Sequence, residues 1–161
     1  MLARLIDTLL ARFGLHRRLP EISYHESVRR SLALARAEAA RLAHHSVSCG
    51  EILLVFARPD LPEAGAVLRA LDVDPVRWRA AIEEAGEPPG DGAARAVEEL
   101  PYTSRAKRSL EHAMHEAMMA SRRDVTPRDL LLGALAADRR YRQAILDGFG
   151  LTLQELRARL R

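Results

Sequence analysis

The chain of 161 residues contains a single cysteine, Cys49, and only 4% of its residues are aromatic. One cysteine excludes both a disulfide framework and a cysteine-rich zinc site, and it is typical of a reducing compartment, which predicts a cytoplasmic location. Three Phe, three Tyr and one Trp leave little for base stacking. Acidic residues are interspersed with the basic ones and the net charge is only +3, so no nucleic-acid partner is expected.

Long apolar runs and strand patterns are missing as well. No apolar run approaches the roughly 20 residues that span a bilayer, so no membrane span is expected. β-Branched residues are scarce, whereas Ala, Leu, Arg and Glu dominate, which favours helix and predicts an all-α fold without strands. A chain of this length buries about two-thirds of its unfolded surface, so it needs no disulfide or metal for stability, and no cofactor is expected.

Catalytic motifs are absent or incomplete. Lys107, the only lysine, is not preceded by the glycines of a phosphate-binding loop, which excludes a P-loop ATPase. Cys49 lies close to two histidines at the start of a predicted helix, but no residue that would orient a histidine is identifiable, and a lone cysteine is commonly a small apolar core residue. His112 and His115 share a helix face without an evident third metal ligand. We therefore expect neither enzymatic activity nor a metal site.

Residues 1–20 form a separate N-terminal segment. Its apolar residues recur at spacings of three and four, which predicts one amphipathic helix with an apolar face formed by Leu2, Leu5, Ile6, Leu9, Leu10 and Phe13. Packing against its own domain or a second subunit is the ordinary role of such a helix, and the same face would suit a homodimer contact. Docking on a partner protein is an alternative, whereas Asp7 and the narrow apolar stripe disfavour a membrane surface.

An internal repeat organises the rest of the chain. A shift of 78 residues aligns 24–83 with 102–161 without a gap, and 15 of these 60 pairs are identical. Each copy is predicted to contain four helices. The domain at 21–161 therefore divides into a first repeat at 24–85, a linker rich in Gly and Pro at 86–101, and a second repeat at 102–161.

Capping residues mark the helix starts in both repeats. Four predicted helices are each preceded by a Ser or Thr that acts as a cap: Ser48, Thr103, Thr126 and Thr152. A glutamate three positions later completes a capping box at the first and the last of these. Thr126 is followed instead by a first-turn proline and a first-turn aspartate. Pro59 and Pro62 are predicted to end the helix that follows the first of these caps. Gly148 and Gly150 are predicted to end the third helix of the second repeat.

The second repeat opens with Tyr-Thr-Ser-Arg-Ala-Lys-Arg at 102–108 and continues through Glu-Ala at 116–117 to Asp-Leu-Leu-Leu-Gly-Ala-Leu at 129–135. The first repeat carries the related run Glu-Ile-Leu-Leu at 51–54. These motifs resemble the Clp N-terminal repeat domain, the amino-terminal module of Clp-type AAA+ unfoldases. The resemblance implies eight helices in two repeats related by a pseudo-twofold axis, and a role in binding substrates or adaptor proteins. No ATPase module accompanies the repeats in this sequence.

The resemblance also implies a ligand site at helix starts. In ClpC-like members each repeat carries a Glu at the start of its second helix, which helps to bind phosphorylated arginine on substrates; the matching residues here are Gly50 and Arg128. An arginine repels a guanidinium and attracts a carboxylate or phosphate. Glu51 could partly replace the missing carboxylate, although one position turns a side chain by about 100° around the helix. The Thr and Arg that open the first helix are kept only in the second repeat, as Thr103 and Arg105.

The predicted function is a non-enzymatic protein-binding module that acts as an adaptor, modulator or decoy in Clp-dependent proteolysis and binds substrate proteins, adaptors or the unfoldase itself. The alternative is sequestration of small peptide-like ligands that target Clp N-domains, because the family uses the region around Tyr102 for ligands. Tyr24 is the counterpart of Tyr102 in the first repeat. The candidate binding residues are therefore Tyr24, Glu51, Tyr102, Thr103, Arg105 and Arg128.

Overall fold

A computed structural model describes residues 22–90, 96–97 and 100–160 of the chain. The amphipathic helix predicted at 1–20, and with it the proposed homodimer contact, lies outside the described residues. Within them, the helices confirm the all-α prediction. No helix in this part of the chain is long and apolar enough to cross a membrane.

Each repeat consists of four helices, as the repeat predicted. The first repeat contains α1 (Glu26–Arg41), α2 (Cys49–Leu54, followed by the 3-10 turn Val55–Ala57), α3 (Pro62–Ala70) and α4 (Pro75–Ala85). The second repeat contains α5 (Ser104–Met119), α6 (Pro127–Ala137), α7 (Arg139–Phe149) and α8 (Leu153–Arg159).

The two predicted capping boxes are confirmed, and α6 begins with a third. At the start of α2, the Ser48 hydroxyl accepts a hydrogen bond from the Gly50 amide at 3.0 Å, and the Glu51 carboxylate accepts one from the Ser48 amide at 2.6 Å. The same reciprocal pair opens α6 at Thr126 and α8 at Thr152. Each box satisfies amides that a helix start leaves without an intrahelical acceptor.

The two predicted helix ends are confirmed in part. The 3-10 turn that extends α2 ends at Ala57, and the next residue, before Pro59, is already extended. Pro62 does not end this helix but occupies the first position of α3, where a residue without an amide proton loses no hydrogen bond. Gly148 lies inside α7, and Gly150 alone ends that helix, with a left-handed φ of 63°.

The prediction of no strands is also wrong, because the repeats exchange short strands. The strand β1 (Ser23–Tyr24) pairs in parallel with β2 (Asp124–Val125), and Val47 forms a bridge with Tyr102. Under the 78-residue shift Tyr24 corresponds to Tyr102 and Val47 to Val125, so each repeat pairs its own start with the middle of the other. This reciprocal pairing is what a pseudo-twofold relation between the repeats produces. The strands were not predicted because two residues are too short to show a periodicity in the sequence.

The core is shared between the repeats. The helix α2 packs against α6 across the pseudo-twofold relation, and Trp78 on α4 is completely buried, where its indole N–H donates to the Leu53 carbonyl at 2.8 Å. The Tyr102 hydroxyl of the second repeat donates to the Leu32 carbonyl of the first at 3.2 Å. The shared core holds the helix starts of the two repeats in one arrangement.

Candidate protein-binding surfaces

The exchanged strands bring helix starts of opposite repeats together at two places. At the first, junction A, the Thr103 cap of α5 lies beside the Ser48 cap of α2, and the Thr103 amide donates to the Val47 carbonyl at 2.9 Å. At the second, junction B, the His25 cap of α1 lies beside the Thr126 cap of α6. The two junctions are counterparts under the repeat shift, so a difference between them reflects a difference in sequence.

Junction A presents arginine side chains and a tyrosine instead of a carboxylate. A Cβ at Gly50 would lie 2.4 Å from the Tyr141 hydroxyl, so Tyr141 occupies the space in which a longer side chain at position 50 would begin. The Arg140 guanidinium stacks on the Tyr141 ring, 4.7 Å from its centroid. The Arg105 side chain is 65% exposed and pairs at 3.7 Å with the buried Asp138, which leaves most of its guanidinium open to a ligand.

Junction B carries an exposed Arg128 at the position equivalent to Gly50. Its guanidinium donates to the Leu160 carbonyl at 3.0 Å, which directs the side chain towards the end of α8. The cavity at this junction has a volume of about 430 Å³ and is bordered by His25, Ser27 and Glu63 as well as Arg128. At both junctions, therefore, the second residue of the second helix, position 50 or 128, is not an acid.

Glu51 belongs to the helix cap and is closed to solvent. Its side chain is 3% exposed, and its carboxylate lies 2.7 Å from Nδ1 of His44 while it accepts the Ser48 amide. The equivalent pair in the second repeat is Asp129 with Arg122, joined by two short hydrogen bonds. Both acids stabilise the turn before the second helix of their repeat.

Tyr24 and Tyr102 lie in the interface between the repeats. Both rings are buried, and burial raises the pKa of each hydroxyl. The Arg36 guanidinium covers the Tyr102 ring, 4.9 Å from its centroid. Small-ligand sequestration was inferred from these aromatic residues, and their burial removes that support.

Cys49 is completely buried at the start of α2. Burial raises the pKa of its thiol to about 12, so the group is protonated and poorly nucleophilic at neutral pH.

His115 is exposed on α5, away from the junctions, and His112 lies on the same helix, one turn away. Within the described ranges, no cluster of three or more metal-ligating side chains occurs.

Each repeat also has a groove between the end of its first helix and its fourth helix, which sequence reasoning missed. Groove 1, of about 310 Å³, is lined by α1, α2, α4 and the residues that follow α4. Groove 2, of about 590 Å³, is lined by Glu116, Met119, Ala120, Arg122, Arg128, Asp129, Leu132, Arg157 and Leu160. Seven of these nine residues are counterparts, under the 78-residue shift, of residues that line groove 1.

The same ion pair joins the first and fourth helices of each repeat, and in the second repeat both of its residues line groove 2. Arg79 on α4 pairs with Glu38 on α1 at 3.1 Å, and Arg157 on α8 pairs with Glu116 on α5 at 2.6 Å. Both the acid and the base are among the identical pairs of the repeat alignment. These identities between charged residues, outside the apolar pattern, are a signal in the sequence that could have located groove 2.

Comparison with known proteins assigns the fold to a family. The Clp repeat (R) N-terminal domain family matches residues 21–149. The chain belongs to this family. A "ClpA homolog" ATP-binding subunit of the ATP-dependent Clp protease, from Guillardia theta, is 28% identical over 137 residues, which cover 85% of this chain and 16% of that protein. The chain thus spans only a small part of the curated relatives that it matches.

Solved Clp N-domains have the same fold. The N-terminal domain of the chaperone ClpD from Arabidopsis thaliana superposes with a TM-score of 0.62 at 16% identity, covering 89% of this chain and 95% of that one. The N-domain of ClpV from Vibrio cholerae gives a TM-score of 0.61, also at 16% identity, covering 89% and 91%. Clp N-domains are non-catalytic interaction domains, so the chain carries a Clp-related protein-interaction module.

Proposed function

We propose that this Clp N-domain is an adaptor, modulator or decoy in Clp-dependent proteolysis, located in the cytoplasm, that binds substrate proteins, adaptors or a Clp unfoldase. The observation that carries the proposal is an exposed arginine at each junction, Arg105 and Arg128, within the family fold. At junction A, the Tyr141 hydroxyl occupies the space into which a side chain at Gly50 would extend. At junction B, Arg128 places a positive charge at the equivalent position.

The junctions favour an acidic group on the partner. Arg105 at junction A and Arg128 at junction B are both exposed, and each is the second residue of its helix, α5 or α6. A guanidinium binds a carboxylate through two parallel hydrogen bonds, and the positive end of the helix dipole adds to the attraction. We therefore expect the partner to contribute an acidic side chain or a terminal carboxylate, whereas a guanidinium ligand would be repelled.

Reporter degradation by a purified Clp unfoldase and protease from the same organism tests the proposal. An adaptor raises the degradation rate, a decoy lowers it when present in excess, and a modulator changes the ATPase rate without substrate. The double variant Arg105→Glu with Arg128→Glu should lose the effect. Val76→Glu is the matched control, since Val76 is 76% exposed on α4. If the wild-type domain neither binds the unfoldase nor changes either rate, the proposal is wrong.

A further inference from the structure

The linker forms one wall of groove 1 and is held there by hydrogen bonds. Residues 86–90, here called the strap, follow α4 without helical structure and run along one side of groove 1. The Gly90 amide donates to the Leu42 carbonyl at the end of α1, at 2.9 Å. The Pro88 carbonyl lies 3.2 Å from Nε2 of His44. The strap therefore binds through backbone groups to the C-cap residue of α1 and to the ring of His44, two residues beyond that cap.

Groove 2 is lined largely by counterparts of the residues that line groove 1, but it lacks a strap among the described residues. The counterpart of Leu42 is Ala120, and over the described ranges no donor lies within hydrogen-bond distance of its carbonyl. Met119 on the rim is 72% exposed, one of three large apolar side chains that stay exposed in the described part of the chain. A groove with an available carbonyl acceptor and an exposed apolar rim is suited to a bound chain segment.

We propose that groove 2 binds an acidic, proline-containing segment of a partner protein in the way that groove 1 holds the strap. The proposal rests on the proposed function in one respect, that the partner is a protein. The segment's amide would donate to the Ala120 carbonyl, and its carbonyl would accept from Arg122, which stands where His44 contacts the strap.

The charge of the groove selects an acidic segment. The lining of groove 2 contains three arginines and two acids, a net charge of +1: Arg122, Arg128, Arg157, Glu116 and Asp129. Groove 1 and its strap contain one arginine against three glutamates, with Glu87 on the strap itself. An acidic side chain would therefore meet a more positive surface in groove 2 than the strap meets in groove 1.

Proline favours binding of an extended segment along groove 2, because it restricts the backbone before the segment binds. The strap has two consecutive prolines, Pro88 and Pro89, whose fixed φ keeps the chain extended before it binds. A pre-extended segment loses less conformational entropy on binding, and proline nitrogens need no hydrogen-bond acceptor in the groove.

A peptide copied from this chain provides the probe. The peptide Glu-Ala-Gly-Glu-Pro-Pro-Gly-Asp-Gly, residues 84–92, is titrated into the ¹⁵N-labelled full chain and followed by NMR. Because groove 1 holds its own strap at high effective concentration, we expect saturable shifts at Ala120, Arg122 and Leu160. The Met119→Glu variant should bind about tenfold more weakly, from lost apolar contact and charge repulsion, while Val76→Glu binds like wild type. A peptide with Gln and Asn in place of its acids should also bind more weakly.

Three results would overturn the proposal: no shift in groove 2 at millimolar peptide, shifts spread evenly over the surface, or equal affinities for Met119→Glu and Val76→Glu. If the peptide with Gln and Asn in place of its acids binds as tightly as the acidic peptide, the proposal that groove 2 selects an acidic segment is wrong. This outcome is separable from the proposed function. If the peptide fails to bind while the domain still alters Clp degradation, only the groove assignment is wrong; if the peptide binds and degradation is unaffected, only the Clp role is wrong.

Discussion

The same substitution should act in opposite directions at Gly133 and Gly148, which both lie inside helices of the second repeat. Helix propensity favours alanine over glycine by about 0.5–1 kcal/mol at either position. At Gly148 a Cβ would meet nothing within 4 Å, so Gly148→Ala should gain this stability. At Gly133 a Cβ would lie 2.2 Å from the Ser109 carbonyl oxygen and 2.7 Å from the Ala113 amide nitrogen.

The cost at Gly133 follows from what the new methyl group would meet. Both neighbours are backbone atoms of α5, which cannot rotate away as a side chain can, so α5 and α6 would have to separate. Overpacking of a core costs about 1–3 kcal/mol, and we expect a net loss of about 2 kcal/mol for Gly133→Ala. For a chain of this size the melting temperature then falls by about 4–8 °C, whereas Gly148→Ala raises it by about 1–4 °C.

Thermal and urea unfolding, followed by circular dichroism at 222 nm, measure both changes. The two variants serve as each other's control, because they differ only in whether the methyl group has room. If Gly133→Ala is as stable as wild type, or if both variants gain stability, the close approach of α5 and α6 is not the reason for glycine at this position.

Three further predictions concern single groups. Cys49 should react with a thiol reagent at pH 8 only as fast as the protein unfolds, because burial raises its pKa to about 12; rapid stoichiometric labelling of the folded protein would contradict this. Burial acts to raise the pKa of Glu38, but hydrogen bonds from Arg41 and Arg79 outweigh it and lower the pKa below 4.5. The ionised Glu38 therefore stabilises the fold above pH 4.5, and this stabilisation is lost as the pH falls through the folded-state pKa. Between about pH 6 and pH 3, the free energy of unfolding in urea titrations should fall less for Glu38→Gln than for wild type; equal losses would refute this prediction. Thr152→Ala should destabilise the protein by about 1 kcal/mol through the lost cap of α8, and an unchanged urea midpoint would show that this end of the chain is not part of the cooperative unit.

The local signals in the sequence predicted most of the fold. A shift of 78 residues located both repeats, and Ser48, Thr126 and Thr152 marked helix starts that the structure confirms. These predictions succeeded because a cap and its acidic partner lie within one turn of each other, so the hydrogen bonds are encoded over four residues.

The burial of the two candidate tyrosines could not be predicted from local signals in the sequence. Tyr24 and Tyr102 open the two repeats, and their position at a repeat boundary made them candidates for an exposed surface. The pseudo-twofold packing buries both, since each forms a backbone pairing with a residue about a hundred or about fifty positions away in the chain. No periodicity in the sequence encodes a contact over such a separation.

The sequence by itself determined the helical class, the two repeats and the helix starts, because each depends on residue type and on spacings of a few residues. Only the tertiary structure decided that Tyr141 occupies the space beside Gly50 and that the linker runs along one side of groove 1 while groove 2 lacks a strap among the described residues. The physical reason is that a surface is formed by residues distant in sequence, and its shape depends on how the two repeats pack around their shared core.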